Sequence, residues 1–221
     1  MKIAAFVPLA LLLSVAARAE TIELVNPGFE MPSTEGDPVP GWTAQQHAGE
    51  PAYEFAVDTK SFAKGKQAFR LTRLTPEEYG VLEQRIQLPK IAGQDLVFTA
   101  LVRTKDVGPR GFTLCLNFLS GDGGIMQQVM STPLTGTQGK WTPVKVSAKV
   151  PNRAFFVEAG FLLLDGGAVW ADEASLKTAN HQPEADPKKA AADARKAEEA
   201  KKPDPAKKSP KSAGGAKTPK T

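Results

Sequence analysis

Apolar and polar residues alternate with a period of two along most of the chain between Ile22 and Lys177. The clearest examples are the segments 96–102, 112–118 and 144–150. This period is typical of β-strands, because successive side chains of an extended chain point to opposite faces of a sheet. The segment 155–164 is apolar on both of its faces, which predicts a strand that is covered on both sides.

Shorter segments with similar composition complete the series: 22–25, 53–57, 68–74, 81–88, 125–130 and 169–176. Gly, Pro, Asp and Asn separate the strands, and residues 107–111 are predicted to form a turn. No amphipathic helix of normal length interrupts the series, so a parallel sheet with crossover helices is not expected. A single sheet would expose apolar strand faces at a cost of about 25 cal/mol per Å².

The pattern therefore predicts an all-β protein with two packed antiparallel sheets. Ten predicted strands favour a jelly-roll sandwich over an immunoglobulin domain, which has about seven strands.

The charge of the chain is unevenly distributed over three segments. Of the 221 residues, 1–19 carry a net charge of +2, 20–180 carry −3, and 181–221 carry +5. The basic character therefore belongs to the two ends. The middle segment has the size of a single domain and is predicted to be the folded body.

Residues 1–19 have the pattern of a secretory signal peptide. Lys2 precedes an apolar run over 3–17, and Ala17-Arg18-Ala19 has the form of a cleavage site. The run is shorter than the roughly 20 residues that a transmembrane helix needs, so a membrane anchor is the weaker interpretation. We expect export to the periplasm or the exterior, with no transmembrane segment in the processed protein. The only cysteine, Cys115, lies in an apolar strand and is predicted to be a small buried hydrophobic residue.

Residues 181–221 are rich in Lys, Ala and Pro and contain no aromatic residue and no Val, Ile, Leu or Met. This composition predicts a mostly disordered tail. Its paired lysines predict attraction to anionic surfaces, and a solubilising spacer is the alternative. No aromatic residues alternate with the lysines, so specific nucleic-acid binding is not expected.

Six short strings follow one another along the body in a characteristic order. They are NPGFE at 26–30, PGW at 40–42, GKQAF at 65–69, QRI at 84–86, GKW at 139–141 and GAVWADEASL at 167–176. Their order and spacing resemble those of CenC-type carbohydrate-binding modules and of the wider galactose-binding-domain-like sandwiches. The resemblance covers most of 24–177 and neither end. It implies a β-sandwich that binds carbohydrate.

The resemblance also implies a structural calcium ion. In that family the acidic residue after Asn-Pro-Gly-Phe and the first acidic residue after the last Trp commonly help to hold Ca²⁺. The matching positions here are Glu30 and Asp172. Calcium takes oxygen ligands and would tie the first strand to the last. The alternative is that both carboxylates accept backbone N–H bonds or face water.

Sugar-binding sites combine aromatic faces with amide and carboxylate groups that bind hydroxyls. Trp42, Trp141 and Trp170 lie in the fold-defining strings, so we expect them to pack in the core. Tyr53, Phe55 and Tyr79 remain as candidate ligand platforms, although Tyr79 is also compatible with a turn at the sandwich edge. The polar candidates for ligand binding are Arg70, Arg73, Gln84, Asn117 and Gln127.

No motif in the chain is typical of an active site. Glu77 and Glu78 are neighbours, so their side chains point apart in an extended segment and do not flank one substrate bond. The chain contains no Gly-x-Ser-x-Gly string and no His pair with metal-ligand spacing. The sequence predicts a secreted, non-catalytic module for carbohydrate or cell-envelope polymer. An envelope-associated structural or adaptor protein is the first alternative, and an enzyme is the second.

Overall fold

The computed structural model describes residues 19–179. The predicted tail lies outside the described residues, as does the predicted signal peptide except for Ala19. Residues 19–179 contain ten β-strands: β1 (Thr21–Ile22), β2 (Thr43–Gln46), β3 (Tyr53–Asp58), β4 (Ala68–Arg73), β5 (Gly80–Gln87), β6 (Asp95–Leu119), β7 (Ile125–Met130), β8 (Leu134–Lys149), β9 (Phe156–Leu163) and β10 (Ala168–Thr178). Within this range no helix is long and apolar enough to cross a membrane.

Strand β6 is 25 residues long and takes part in two antiparallel layers. Its first part pairs with β8 and β10, and β10 continues the layer through β4 to β3. Its last part pairs with β7 and β9, and β9 continues the other layer through β5 to β2. The short strand β1 extends the edge of β10. The predicted antiparallel jelly-roll sandwich is confirmed.

The predicted turn at 107–111 is a bend inside β6 where the strand passes between the layers. The register with β8 shifts on both sides of Val107, and the backbone at Gly111 has a φ of 80°. A Cβ atom at Gly111 would lie 2.7 Å from the Cβ atom of Pro133. Glycine is therefore required at this position for two reasons: the backbone is left-handed, and a side chain would collide with Pro133. Strand β2 was not expected, because its sequence TAQQ carries no apolar alternation.

Phe161 on β9 lies at the centre of the core. Its ring centroid is 5.3–5.8 Å from those of Phe29, Trp42, Phe69 and Phe98. Phe69 and Phe98 come from the β3–β4–β10–β6–β8 layer, so these contacts hold the two layers together. Side chains of this size dominate the apolar area that folding buries.

Only one of the three tryptophans occupies the expected core position. Trp42 is buried, whereas Trp141 and Trp170 are half-buried. The Trp170 indole N–H donates to Asp58 Oδ2 at 2.7 Å, and the Arg103 guanidinium lies 5.7 Å from a Trp170 ring centroid. Trp170 therefore lies on the outer surface of its layer, where these polar side chains contact it. An aromatic residue in one of the fold-defining strings need not face the core.

Candidate functional site

A groove of about 470 Å³ lies on the outer face of the layer formed by β2, β5, β9, β6 and β7. Alternate residues of these strands face the core, and those between them face the groove. On β9, for example, Phe161 is in the core and Leu162 lines the groove. The lining residues are Gln45, Tyr79, Val81, Glu83, Arg85, Cys115, Asn117, Leu119, Gly123, Ile125, Gln128, Met130, Glu158, Leu162 and Leu164.

Four polar side chains form a row across four adjacent strands of the groove. Arg85, Glu158, Asn117 and Gln128 are successive cross-strand partners. Arg85 Nε donates to Glu158 Oε1 at 2.9 Å, and Asn117 Nδ2 donates to Glu158 Oε2 at 3.5 Å. Gln128 Nε2 donates to Asn117 Oδ1 at 2.9 Å. These hydrogen bonds fix the positions of the four side chains, and Arg85 compensates for the charge of buried Glu158.

The next row of the groove passes through a glycine. Glu83, Gly160 and Cys115 are successive cross-strand partners on β5, β9 and β6. A Cβ atom at Gly160 would lie 2.9 Å from Cys115 Sγ and 3.2 Å from Glu83 Cβ. Glycine at position 160 thus allows the Cys115 and Glu83 side chains to approach β9 closely from the two neighbouring strands.

Glu83 is half-buried, and its Oε1 atom accepts a hydrogen bond from Gln45 Nε2 at 3.1 Å. Burial raises the pKa of Glu83 to about 7, and the nearby negative charge of Glu158 contributes in the same direction. Arg85 opposes this shift in pKa, but its guanidinium is bonded to Glu158. Near neutral pH the Glu83 carboxyl therefore takes up and releases a proton easily.

One end of the groove is apolar. Val81, Cys115 and Leu162 form a small buried cluster, with Tyr79 and Leu164 packed against it. Burial raises the pKa of the Cys115 thiol to about 12, so it stays protonated, as expected for a small buried hydrophobic residue. Among the described lining residues, Tyr79 is the only aromatic one.

Two of the predicted ligand-binding residues, Tyr79 and Asn117, line the groove. Tyr53 does not. Its side chain is in the core, and its hydroxyl donates to the carbonyl oxygens of Glu77 and Leu163 at 3.3 and 3.4 Å. A Cβ atom at Gly80 would lie 2.5 Å from the Tyr53 ring, so the ring is covered by β5. The expectation that Tyr53 is a ligand platform is corrected.

Phe55, Gln84 and Arg70 are also placed outside the groove. Phe55 packs against the core, with its ring centroid 6.4 Å from that of Tyr53. Gln84 lies on the other face of β5 from Glu83, and its amide bonds the backbone of Val25 and Gly41. Arg70 belongs to the opposite layer and donates to Glu54 at 2.9 Å. These three residues do not line the groove, and their part in ligand binding stays a prediction.

Sequence reasoning missed Gln45, Glu83, Arg85, Gln128 and Glu158. One signal was available, because Glu158 is a charged residue inside an otherwise apolar strand. A charge at such a position is costly to bury unless a partner or a function compensates for it. Glu83 and Arg85 then follow as neighbours of Gln84 on the opposite face of β5.

Glu30 and Asp172, the predicted calcium ligands, both contact the loop 63–67. Glu30 Oε1 accepts the N–H groups of Lys66 and Gln67 at 2.8 and 3.3 Å. Asp172 Oδ2 accepts those of Ala63 and Lys64, both at 2.9 Å, and Oδ1 accepts that of Glu173 at 2.7 Å. Glu30 thus ties this loop to the segment that follows β1, and Asp172 ties it to β10.

This arrangement does not fit a calcium ion, which needs oxygen atoms pointing toward it. Three of the four carboxylate oxygens accept N–H groups instead. Within residues 19–179 there is no group of three or more His, Cys, Asp or Glu side chains placed to hold a metal. The geometry favours the alternative in which both carboxylates bind backbone N–H groups.

No protein-family model matches the chain, and no curated protein matches it. Among solved structures it is similar to the enzymatically active domain of bacteriophage CBA120 tailspike protein 4, with a TM-score of 0.55 and 14% identity. That match covers 70% of this chain and 21% of the other, so the chain spans about a fifth of the tailspike chain.

Two further similar structures come from Paenibacillus barcinonensis Xyn10C. The CBM22-1-CBM22-2 tandem domain has a TM-score of 0.54 and 18% identity, covering 79% of this chain and 49% of the other. The CBM22-1 xylan-binding domain has a TM-score of 0.50 and 16% identity, covering 70% and 92%. At these identities the likeness establishes the fold, a β-sandwich shared with carbohydrate-binding modules. Membership of the CenC type stays a prediction.

We predict that excess chelator leaves the thermal unfolding midpoint of the protein unchanged. Calcium that binds only the folded state would stabilise that state and make the midpoint depend on calcium concentration. Scanning calorimetry of chelated and calcium-loaded protein measures the difference. A midpoint that rises steadily with added calcium, and not with magnesium, would restore the calcium hypothesis at Glu30 and Asp172.

The pKa of Glu83 predicts a pH-dependent stability. In the unfolded chain a glutamate has a pKa of 4.5, against about 7 in the fold, so the folded state binds the proton more tightly. The free energy of unfolding therefore falls as the pH rises from about 4.5 to 7, by on the order of 1 kcal/mol after allowance for solvent at this half-exposed group. Glu83→Gln removes this contribution.

Urea unfolding at pH 5, 6, 7 and 8 tests this dependence. The stability of Glu83→Gln relative to the unsubstituted protein should increase across the series. Glu23→Gln, at an exposed position, serves as the control and should follow the unsubstituted protein. Parallel profiles for Glu83→Gln and Glu23→Gln would contradict the assignment.

Proposed function

We propose that residues 20–180 form an exported, non-catalytic module that binds a carbohydrate or another cell-envelope polymer in the groove. The observation that carries this proposal is the polar row Arg85, Glu158, Asn117 and Gln128, which crosses the groove floor in register. Amides and carboxylates in fixed positions are suited to the hydroxyl groups of a sugar. The cavity volume is within the usual range of ligand sites.

The apolar part of the groove complements this polar row. Sugar rings have apolar faces, which Tyr79, Val81 and Leu162 would cover at one end of the groove. A solved structure of the same fold is described as a xylan-binding domain, which supports a carbohydrate as the ligand class. With a single aromatic residue lining the groove in the described part of the chain, we expect affinity to rest mainly on hydrogen bonds.

The polar partners of Glu158, Glu77 and Glu78 support binding rather than catalysis at these three carboxylates. Glu158 accepts hydrogen bonds from Arg85 and Asn117. Glu77 Oε1 lies 3.0 Å from His47 Nδ1, and Glu78 pairs with Arg110 at 3.1 Å. Carboxylates committed to such partners are poor general acids. Release of new reducing ends from a bound polysaccharide, abolished in a groove variant, would overturn the non-catalytic assignment.

Gln128 and Gln127 provide a matched test of the groove. They are exposed neighbours on β7, but Gln128 lines the groove and Gln127 does not. Gln128→Ala should weaken binding about 2- to 10-fold, the usual worth of one hydrogen bond, and Gln127→Ala should have no effect. Affinity electrophoresis in xylan, β-glucan and mannan gels, followed by calorimetry with the retained polymer, measures the change.

A second candidate function, a protein adaptor, is favoured by one observation. The edge strand β7 exposes Ile125, Met126 and Met130, and such apolar edges pair with other proteins. If the protein retains none of the polysaccharides at millimolar concentrations of sugar, the adaptor function is favoured. Equal loss of binding in Gln128→Ala and Gln127→Ala would also argue against the groove.

We further propose that residues 1–19 direct export and that the tail at 181–221 contacts anionic surfaces. The support is the sequence pattern of the first segment and the net charge of +5 of the second. Deleting 181–221 should reduce retention on anionic beads at low salt and have little effect at 1 M salt, where the Debye length is about 3 Å. Equal retention of both proteins at low salt would remove this role.

A further inference from the structure

Glu83 is the one carboxylate in the groove without a cationic partner among the described residues. Arg85, the nearest guanidinium on its strand, forms its ion pair with Glu158. No Lys, Arg or His between residues 19 and 179 forms an ion pair with Glu83, and Gln45 provides a neutral donor. The groove therefore carries two acidic groups against one basic group, and the excess negative charge is located at Glu83.

The Glu83 side chain lines the open volume of the groove. Gly160, the cross-strand partner of Glu83, has no side chain, and on its other side lies the uncharged thiol of Cys115. A half-buried acid beside an open cavity is an unusual arrangement for a purely structural residue, because burial without a partner costs free energy. A positively charged group of the ligand at this position would remove that cost.

We infer that the groove is selective for polysaccharides with free amines and that the protonated amine of an amino sugar binds beside the Glu83 carboxylate. This inference rests on the proposed function, because it assigns a ligand class to the same groove. The amide of Gln45 contacts the Glu83 carboxyl, and the amides of Asn117 and Gln128 line the groove farther across the sheet, where they would bind hydroxyl groups of the same ligand. A lysine side chain would supply the charge but none of those hydroxyls. Acidic polysaccharides would be repelled by the net negative charge.

The amine and the carboxyl have opposite dependences on pH. Below pH 6 Glu83 is largely protonated, because its pKa is about 7, and the attraction is lost. At alkaline pH the amine of the sugar loses its own proton. The other titratable groups facing Glu83 are Glu158, which is bonded to Arg85, and Cys115, whose pKa is about 12, while Tyr79 lines the apolar end. Binding should therefore be strongest near pH 7.

The test is calorimetry of the full chain at 0.15 M salt with three hexasaccharides, made of glucosamine, N-acetylglucosamine and glucose. At pH 7 the glucosamine oligomer should bind about tenfold more tightly than the other two, since a charge-assisted hydrogen bond is about twice as strong as a neutral one. Glu83→Gln should remove this preference, so that the glucosamine oligomer binds no more tightly than the two neutral oligomers. Glu23→Gln, which changes the net charge equally at an exposed position, should keep the preference.

A second measurement is independent of the variant. Titrations at pH 6.5 in two buffers of different ionisation enthalpy should show proton release when the glucosamine oligomer binds, because the bound amine favours ionised Glu83. Circular dichroism and the unfolding midpoint establish that Glu83→Gln is folded.

The outcomes separate this inference from the proposed function. Equal binding of all three oligomers, or a preference for glucosamine that survives in Glu83→Gln, would overturn the inference and leave a carbohydrate-binding groove. Absence of binding by every oligomer would count against both. A lysine hexapeptide that binds as tightly as the glucosamine oligomer, with affinity that does not fall at alkaline pH, would show attraction by charge alone and would also overturn the inference.

Discussion

The packing of Phe161 against four other aromatic rings is the interaction on which the rest of the molecule depends. It joins the two layers and so determines which face of β9 is buried. Because side chains alternate along a strand, this choice places Glu158, Gly160 and Leu162 on the opposite face. The floor of the groove is therefore the reverse side of the core, and a shift of β9 by one residue would exchange the two surfaces.

The two acidic residues of the groove show how the fold distributes electrostatic cost. Glu158 is buried, but Arg85 and Asn117 compensate for its charge. Glu83 is less buried and receives only the neutral donor Gln45. The uncompensated charge thus lies where a ligand has access and not inside the structural network. A residue that the surrounding protein leaves unsatisfied is more informative about function than one that is well bonded.

Much of the fold can be predicted from the sequence, because the strands follow a simple period and carry their own turn residues. The candidate site is harder to predict, since it depends on which of the two alternating sets of side chains on each strand faces the core. On β5 the polar residues Glu83, Gln84 and Arg85 are consecutive, and only the pairing with β9 shows that Gln84 faces inward. Tyr53 was misplaced for a related reason, because its hydroxyl finds two carbonyl partners in the interior that lie far away in the sequence. Strand β2 carries no apolar period at all.

Glu30 and Asp172 show the limit of transferring residues by resemblance. Both carboxylates accept backbone N–H groups of the loop 63–67. The orientation of these N–H groups depends on local backbone conformation that a short motif does not encode. A carboxylate can coordinate a cation or accept a hydrogen bond from an amide N–H group. The matching positions therefore predict carboxylates that make contacts between distant segments of the sandwich. The backbone conformation of the loop 63–67 determines whether the partner of these carboxylates is an N–H group or a cation.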